Sequence, residues 1–322
     1  MHRVRNTPKL AIFSLSMIYA LSLVLLFPID GSIIDRANYL DYASNAWLIM
    51  LRYLSKGDVR VLFNEPIWLL MNMSLRVFFS PENIIRVLVF FSSFLSCYVC
   101  LKNNRKEVFL VLIILLFPQV VKNYIIHLRQ GVAISVFLLA YYYKDCFLRK
   151  VLFLITPLIH VSFFFVLLVY GVVLLSKKIK LTRNFRGVTI SAIGIGIALS
   201  LAIISAFLGA RQANEYAFVN ANVSGGAFLF WSSILVLYWM QGRRYCHKYA
   251  FEISGALFYL STYFLTEVTG RVFESFVVLV LIAGCYLTSS RKVLFRCAFI
   301  LFFIFSYMGR ISMPYFGWGV SS

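Results

Sequence analysis

The residues best suited to chemistry are a few arginines, acids and histidines that interrupt long apolar segments. Segment 122–131 holds Lys122, His127, Arg129 and Gln130 where one apolar run ends and the next begins. A guanidinium group stays charged at physiological pH and binds phosphate oxygens in a bidentate geometry. Arg129 also lies at the start of a predicted helix, where free N–H groups favour an anion. The alternative is an interfacial arginine that extends toward lipid headgroups.

A second cationic turn contains Arg271, four residues after Glu267. That spacing favours an ion pair along one helix face. The sharper alternative is that Arg271 and Arg129 bind the same anion, with Lys122 and Arg211 as further candidates for that role.

The polar segment 30–64 and the residue after it combine a cation, carboxylates and a phenol, namely Arg36, Asp41, Tyr42 and Glu65. The carboxylates of Glu65 and Asp41 could act as bases. Glu65 also precedes a proline at a predicted helix start, so a helix-capping role is an equal alternative. Asp41 and Tyr42 could equally be solvated loop residues.

His160 stands within the apolar stretch 151–176, three residues after Pro157. Ionisable groups inside a membrane are costly and are functional candidates for that reason. A neutral imidazole can accept a proton, and a protonated one can hold phosphate. The structural alternative is a histidine satisfied by a carbonyl of a broken helix.

The composition is that of a polytopic membrane protein. The chain of 322 residues is 61% hydrophobic and only 13% charged, whereas soluble domains carry about 25% charged residues. Repeated apolar runs of about 15–25 residues are long enough to cross a bilayer. These features exclude soluble, secreted and nucleic-acid-binding classes, although the 31 basic residues outnumber the 12 acids.

The distribution of positive charge predicts the orientation, because Lys and Arg are retained in cytoplasmic loops. Twenty of the 31 cations fall in six clusters: Arg3/Arg5/Lys9, Lys102/Arg105/Lys106, Lys144/Arg149/Lys150, Lys177/Lys178/Lys180/Arg183/Arg186, Arg243/Arg244/Lys248 and Arg291/Lys292/Arg296. With these inside, the N-terminus is cytoplasmic. The other cations, Arg36, Arg129 and Arg271 among them, lie on the outer side, where they are suited to bind an anion.

We therefore predict an all-α, single-domain inner-membrane protein over residues 1–322 with about ten transmembrane helices. Segment 30–64 is the first outer loop, with interfacial helices, and 151–176 is a broken re-entrant hairpin. The tail 310–322 is typical of an interfacial aromatic anchor. Cys97 and Cys100 form a C-x-x-C without a second pair or a nearby histidine, so we predict no metal site and no cofactor.

Taken together and in order, these pieces resemble the EpsG-type branch of the Wzy polysaccharide polymerases. The matching residues are Asp35-Arg36 with Tyr39, Asp41 and Tyr42; Glu65-Pro66 with Asn72; Arg129-Gln130 with Ala133; His160 with Ser162; and Arg271 with Phe276.

The resemblance implies a GT-C-like glycosyltransferase that acts at the periplasmic face of the bacterial inner membrane. Its substrates would be undecaprenyl-diphosphate-linked repeat units, joined into O-antigen or capsular or exopolysaccharide, with a Wzz-like chain-length regulator as a partner. Arg129 and Arg271 would bind the donor diphosphate, with Arg36 assisting or holding the acceptor. Gln130 and Tyr42 would complete the glycan site. His160 would bind diphosphate or accept the acceptor proton, with Glu65 and Asp41 as competing bases or as ligands of sugar hydroxyls. The energy is stored in the donor, so neither ATP nor a metal is required.

Three other functions remain open. An O-antigen ligase would usually have a larger outer domain than the short segment 209–225. A lipid-linked oligosaccharide flippase should show inverted repeats and charges along a path through the membrane midplane, whereas the ionisable residues here gather at one face. A membrane acyltransferase could use His160, but the outer arginines would then lack a role.

Overall fold

A computed structural model describes residues 8–55, 62–208, 225–266 and 268–320, with side chains described for all of these except 201–208. Four residues of the sequence predictions, Arg3, Arg5, Arg211 and Glu267, lie outside these ranges. The described residues form α-helices, a short 3-10 helix and turns, with no strand beyond one isolated bridge. The prediction of an all-α protein is therefore confirmed.

One compact unit comprises Met1–Val161 and Ser306–Ser322. Helix α4 lies at its centre and packs against α1, α2 and α7. It begins after Ser80, whose hydroxyl caps the N–H of Asn83, and Pro81 occupies its first position, where a missing N–H costs nothing. The helices of this unit are α1 (Lys9–Leu26), α2 (Arg36–Ser55), α3 (Pro66–Arg76), α4 (Pro81–Asn103), α5 (Val108–Leu115), α6 (Pro118–Ile125), α7 (Leu128–Tyr142) and α8 (Cys146–Ile159).

The apolar run 108–126, which the sequence predicts as one helix, consists of α5 and α6, bent by 58°. Phe117 separates them with extended dihedral angles of −62° and 134°. The reason is local, because the ring of Pro118 disfavours the helical conformation in the residue before it. The bend places the end of α6 and the start of α7 beside α2.

Much of the first polar segment is helical, since α2 covers Arg36–Ser55 with a kink at Asn45. Its buried residues recur at helical spacing and include Tyr39, Tyr42, Ala43 and Ala46. The opposite face exposes large apolar side chains, namely Trp47, Leu48, Leu51 and Leu54, as expected for a helix at a membrane interface.

The C-terminal tail differs from the predicted aromatic anchor at one residue. The Trp318 side chain is buried, with an exposed fraction of 2%, and packs against Phe27 at 5.3 Å between ring centroids. Tyr315 and Phe316, in the 3-10 helix Pro314–Gly317, remain exposed. Trp318 is therefore a core residue, because the tail folds back onto the turn before α2 and forms the bridge between Ile33 and Gly319.

The second compact unit comprises Ser162–Phe305. Its α13 and α14 pack so closely that a Cβ on Gly255 would lie 2.3 Å from the ring of Phe276. Phe276, one of the residues on which the family resemblance rests, therefore has a packing role between these helices. The helices are α9 (Ser162–Lys178), α10 (Arg183–Leu208), α11 (Gly225–Met240), α12 (Arg243–Lys248), α13 (Ala250–Thr262), α14 (Val268–Cys285) and α15 (Ser289–Met308), which ends just beyond it.

Among the described residues, α1, α4 and α14 are long and apolar enough to cross a membrane, and the bent pair α5–α6 adds a fourth span if it counts as one. The length and apolar composition of these helices identify the chain as a membrane protein. About ten spans, a GT-C-like arrangement and the re-entrant path of 151–176 stay predictions.

Candidate functional site

Glu65 is the centre of the candidate site. It directly precedes α3 and has left-handed dihedral angles of φ 57° and ψ 55°, a conformation that costs roughly 1–3 kcal/mol in a residue other than glycine. Its side chain makes no capping bond to α3. Instead, one carboxylate oxygen accepts from Nη1 of Arg129, and the other lies 2.6 Å from Nδ1 of His160. The second oxygen also accepts the N–H of Val161 at 3.3 Å.

Three helix ends bring these side chains together. Glu65 stands before α3, Arg129 is the second residue of α7, and His160 ends α8 with an extended backbone at φ −150° and ψ 125°. The start of α7 lies tightly against α6, because a Cβ on Gly131 would be 2.3 Å from the carbonyl oxygen of Asn123. Only glycine permits this close approach of α7 to α6, and the start of α7 thereby brings Arg129 to Glu65.

The Glu65 carboxylate is ionised at neutral pH. The exposed side-chain fractions are 7% for Glu65, 12% for His160 and 22% for Arg129. Burial alone raises the carboxyl pKa, but the charges of Arg129 and His160 and the bonds from His160 and Val161 outweigh it. Together they lower the pKa of Glu65 from 4.5 to about 2. The carboxylate is therefore a fixed counter-charge.

Two aromatic rings of α2 lie against the Arg129 guanidinium. Its central carbon lies 5.3 Å from the ring centroid of Tyr42 and 5.9 Å from that of Tyr39. The ring of Trp68 contacts Tyr39 edge to face at 5.8 Å. Burial raises the pKa of Tyr39, which keeps the phenol neutral. Cation–π contacts of this kind hold a guanidinium in place without neutralising it.

Several N–H donors around Tyr39 have no acceptor among the residues that the structure describes. Arg36 has an exposed fraction of 1% and donates through Nη2 to the carbonyl of Ile125 at 3.1 Å, while its Nε and Nη1 lack acceptors. Nε1 of Trp68 and Nε of Arg129 are also buried without acceptors. Burial lowers the pKa of Arg36 from 12.5, yet a guanidinium remains charged at neutral pH. A ligand with several acceptor oxygens would satisfy these groups.

A protein-family model described as the EpsG family matches residues 12–318. This chain belongs to the EpsG family. Membership confirms the predicted resemblance and indicates a membrane protein of polysaccharide biosynthesis with a glycosyltransferase-like polymerase function. No curated protein and no solved structure matches the chain.

The other predicted residues of this EpsG-family protein occupy varied positions. Gln130 is buried beside Arg129 on α7, and Lys122 is half-buried on α6. Asp41 is exposed on α2, where it accepts from Nδ2 of Asn45 at 2.7 Å. Arg271 is exposed in the first turn of α14, in the second unit. The structure thus brings Glu65, Arg129, His160 and Tyr42 together, and Asp41 makes a local bond within its own helix.

Sequence reasoning missed Trp68 and the backbone N–H of Val161. Trp68 lies in an apolar run, where a tryptophan is ordinarily core, and its spacing gave no signal of its neighbours. The main-chain bond from Val161 depends on the break after α8, and no side chain reports it. Among the described residues, no group of three or more His, Cys, Asp and Glu could hold a metal ion.

Proposed function

We propose that this EpsG-family protein is a glycosyltransferase that polymerises undecaprenyl-diphosphate-linked oligosaccharide repeat units at the periplasmic face of the bacterial inner membrane. The observation that carries the proposal is the buried cluster of Glu65, Arg129 and His160. It combines a carboxylate that orients an imidazole with a guanidinium that retains an unpaired donor. The oriented imidazole suits an acceptor hydroxyl that must lose a proton. The guanidinium suits a leaving group that gains negative charge.

His160 is the general base in this proposal. Glu65 can only accept, so in the neutral form of His160, which is the form proposed to act as base, Nδ1 carries the proton of their 2.6 Å bond and Nε2 retains its lone pair. The acceptor hydroxyl oxygen attacks the anomeric carbon of the donor while the bond from that carbon to the diphosphate oxygen breaks. The electron pair leaves with the diphosphate, and the hydroxyl proton passes to Nε2. A base placed in this way contributes roughly 10²–10⁴-fold.

Glu65 and Asp41 are less suited to that step. The pKa of about 2 makes the Glu65 carboxylate too weak a base at neutral pH, and both of its oxygens are already bonded. Asp41 is exposed and bonded to Asn45 within its own helix. We assign Glu65 the role of orienting His160 and Arg129 and leave Asp41 as a ligand for sugar hydroxyls.

The diphosphate oxygens are assigned to the unpaired donors around Tyr39. Arg129 offers Nε, Arg36 offers Nε and Nη1, and Trp68 offers Nε1. Guanidinium groups in a poorly hydrated site stabilise developing charge without rearrangement, so in this proposal the positive field comes from arginine rather than from a metal ion. Arg271 retains its proposed role as a second donor ligand, and a chain-length regulator remains the proposed partner.

The test is polymerisation by purified protein in nanodiscs supplied with a lipid-linked repeat unit and no ATP. Wild type should produce a glycan ladder, and Arg129→Ala and His160→Ala should not. Arg86→Ala is the matched control, since Arg86 is exposed and donates to Asn83 of its own helix. A full ladder from Arg129→Ala at equal protein concentration would refute the site. A ladder that needs ATP or acyl donors would refute the reaction.

A further inference from the structure

The C-terminal tail pairs with the turn that precedes α2. The N–H of Ile34 donates to the carbonyl of Trp318 at 3.0 Å, and the N–H of Val320 donates to the carbonyl of Ser32 at 2.8 Å. The indole of Trp318 is buried against Phe27. The tail is thus anchored to this turn by two backbone bonds and by the burial of a large aromatic side chain.

The same turn leads directly to two contacts with the α6–α7 connection. Asp35 follows it with a left-handed φ of 61°, and its carboxylate lies 3.9 Å from Nδ1 of His127. Arg36 comes next and donates to the carbonyl of Ile125 at 3.1 Å. His127 and Ile125 flank the point where α6 ends, two and four residues before Arg129. The turn therefore holds the connection from which Arg129 projects.

We infer that the C-terminal tail, through Trp318 and Val320, positions the Arg129 cluster for catalysis. This inference rests on the proposed function of that cluster. Trp318 holds the turn before α2, and Asp35 and Arg36 hold the end of α6. That contact keeps Arg129 against Glu65. Trp318 and Val320 touch no substrate and act as positioning residues.

The left-handed backbone at Asp35 gives a physical reason for such a brace. A non-glycine residue in this conformation persists only where its surroundings hold it. On one side of Asp35 are the tail bonds, and on the other is the start of α2. If the tail bonds are lost, the turn can relax to an ordinary conformation, and Asp35 and Arg36 then shift relative to Ile125 and His127.

The experiment measures binding of undecaprenyl diphosphate, the proposed leaving group, to the full chain in nanodiscs, together with its melting temperature. Val320→Pro removes the N–H that donates to Ser32 at an exposed residue, and Val320→Ala is the control that keeps it. We expect the Kd to rise about three- to tenfold for Val320→Pro, the effect of losing one hydrogen bond, and at least tenfold for Trp318→Ala. Val320→Ala and Trp318→Phe, which retains a ring against Phe27, should bind nearly as wild type does.

The outcomes separate the two proposals. If wild type neither binds undecaprenyl diphosphate nor polymerises, the proposed function fails. If wild type binds and Val320→Pro binds equally well, the positioning inference is wrong. A Kd that rises only in proportion to unfolded protein, and that Trp318→Phe does not restore, also overturns it, since a general loss of stability would then explain the effect.

Discussion

Replacement of Glu65 by glutamine should destabilise the protein far more than the loss of an ordinary carboxylate. The substitution keeps the side-chain volume and removes the negative charge between Arg129 and His160. The guanidinium would then be left in a largely buried site without its counter-ion. Removal of one partner of a buried pair typically costs about 3–5 kcal/mol.

The pKa of Glu65 leads to a similar magnitude. The pKa of the Glu65 carboxyl group is lowered from 4.5 to about 2 in the folded protein. At about 1.4 kcal/mol for each tenfold change in proton affinity, the native environment favours the ionised form by about 3 kcal/mol. Glu65 is buried, so solvent screening removes little of this energy. We therefore expect Glu65→Gln to lower the free energy of unfolding by about 3 kcal/mol.

A double-mutant cycle isolates the pair from other effects of substitution. Glu65→Gln, Arg129→Met and the double variant would be compared by equilibrium unfolding in mixed micelles with an increasing fraction of SDS. The double variant leaves no unpaired charge, so its loss should be smaller than the sum of the single losses by about 2 kcal/mol or more. Glu82→Gln, at an exposed position in the first turn of α4, is the control and should lose far less stability than Glu65→Gln, because an exposed acid at a helix N-terminus contributes only weakly.

Two results would contradict this reasoning. Additive losses in the cycle would show that Glu65 and Arg129 do not interact in the folded protein. Equal stability of wild type and Glu65→Gln would show that the carboxylate is not a buried counter-charge, and the orientation of His160 by Glu65 would lose its basis.

Three further predictions follow from the same structure. Acid should remove the contribution of Glu65 to the free energy of unfolding, because a carboxylate of lowered pKa stabilises the fold fully above pH 4.5 and loses this effect as the pH falls toward about 2. The stability difference between wild type and Glu65→Gln should therefore shrink across that range, and a constant difference would contradict the assignment of Glu65 as a buried carboxylate. Gly131→Ala should cost about 1–3 kcal/mol by forcing α6 and α7 apart, whereas Gly171→Ala, with open space around it, should cost nothing measurable in the same unfolding experiment. A membrane-impermeant maleimide should label the exposed Cys146 only after the inner membrane is opened, and should not label the buried Cys100; labelling of Cys146 in intact cells would overturn the predicted orientation.

Much of the candidate site could be named from the sequence, but not the relations within it. Glu65, Arg129 and His160 stand out because a charged or ionisable residue beside an apolar run is costly and needs a reason. The sequence left Glu65 equally suited to cap a helix, because proline follows it in either case. Its side chain instead bonds residues 64 and 95 positions away in the chain. No local pattern reports contacts over such distances.

The sequence by itself determined the class of this protein. Apolar runs, the clustering of basic residues between them and the ordered polar motifs are local properties, and they suffice to indicate an all-α membrane protein of the EpsG family. Tertiary structure alone decided which charges are partners, because that depends on where three helix ends meet. It also moved Trp318 from a predicted membrane anchor into the core, since burial of an indole depends on what the chain folds back upon. The choice of His160 over Glu65 as the proposed base has the same origin, because a carboxylate loses its basicity only when a distant arginine and histidine surround it.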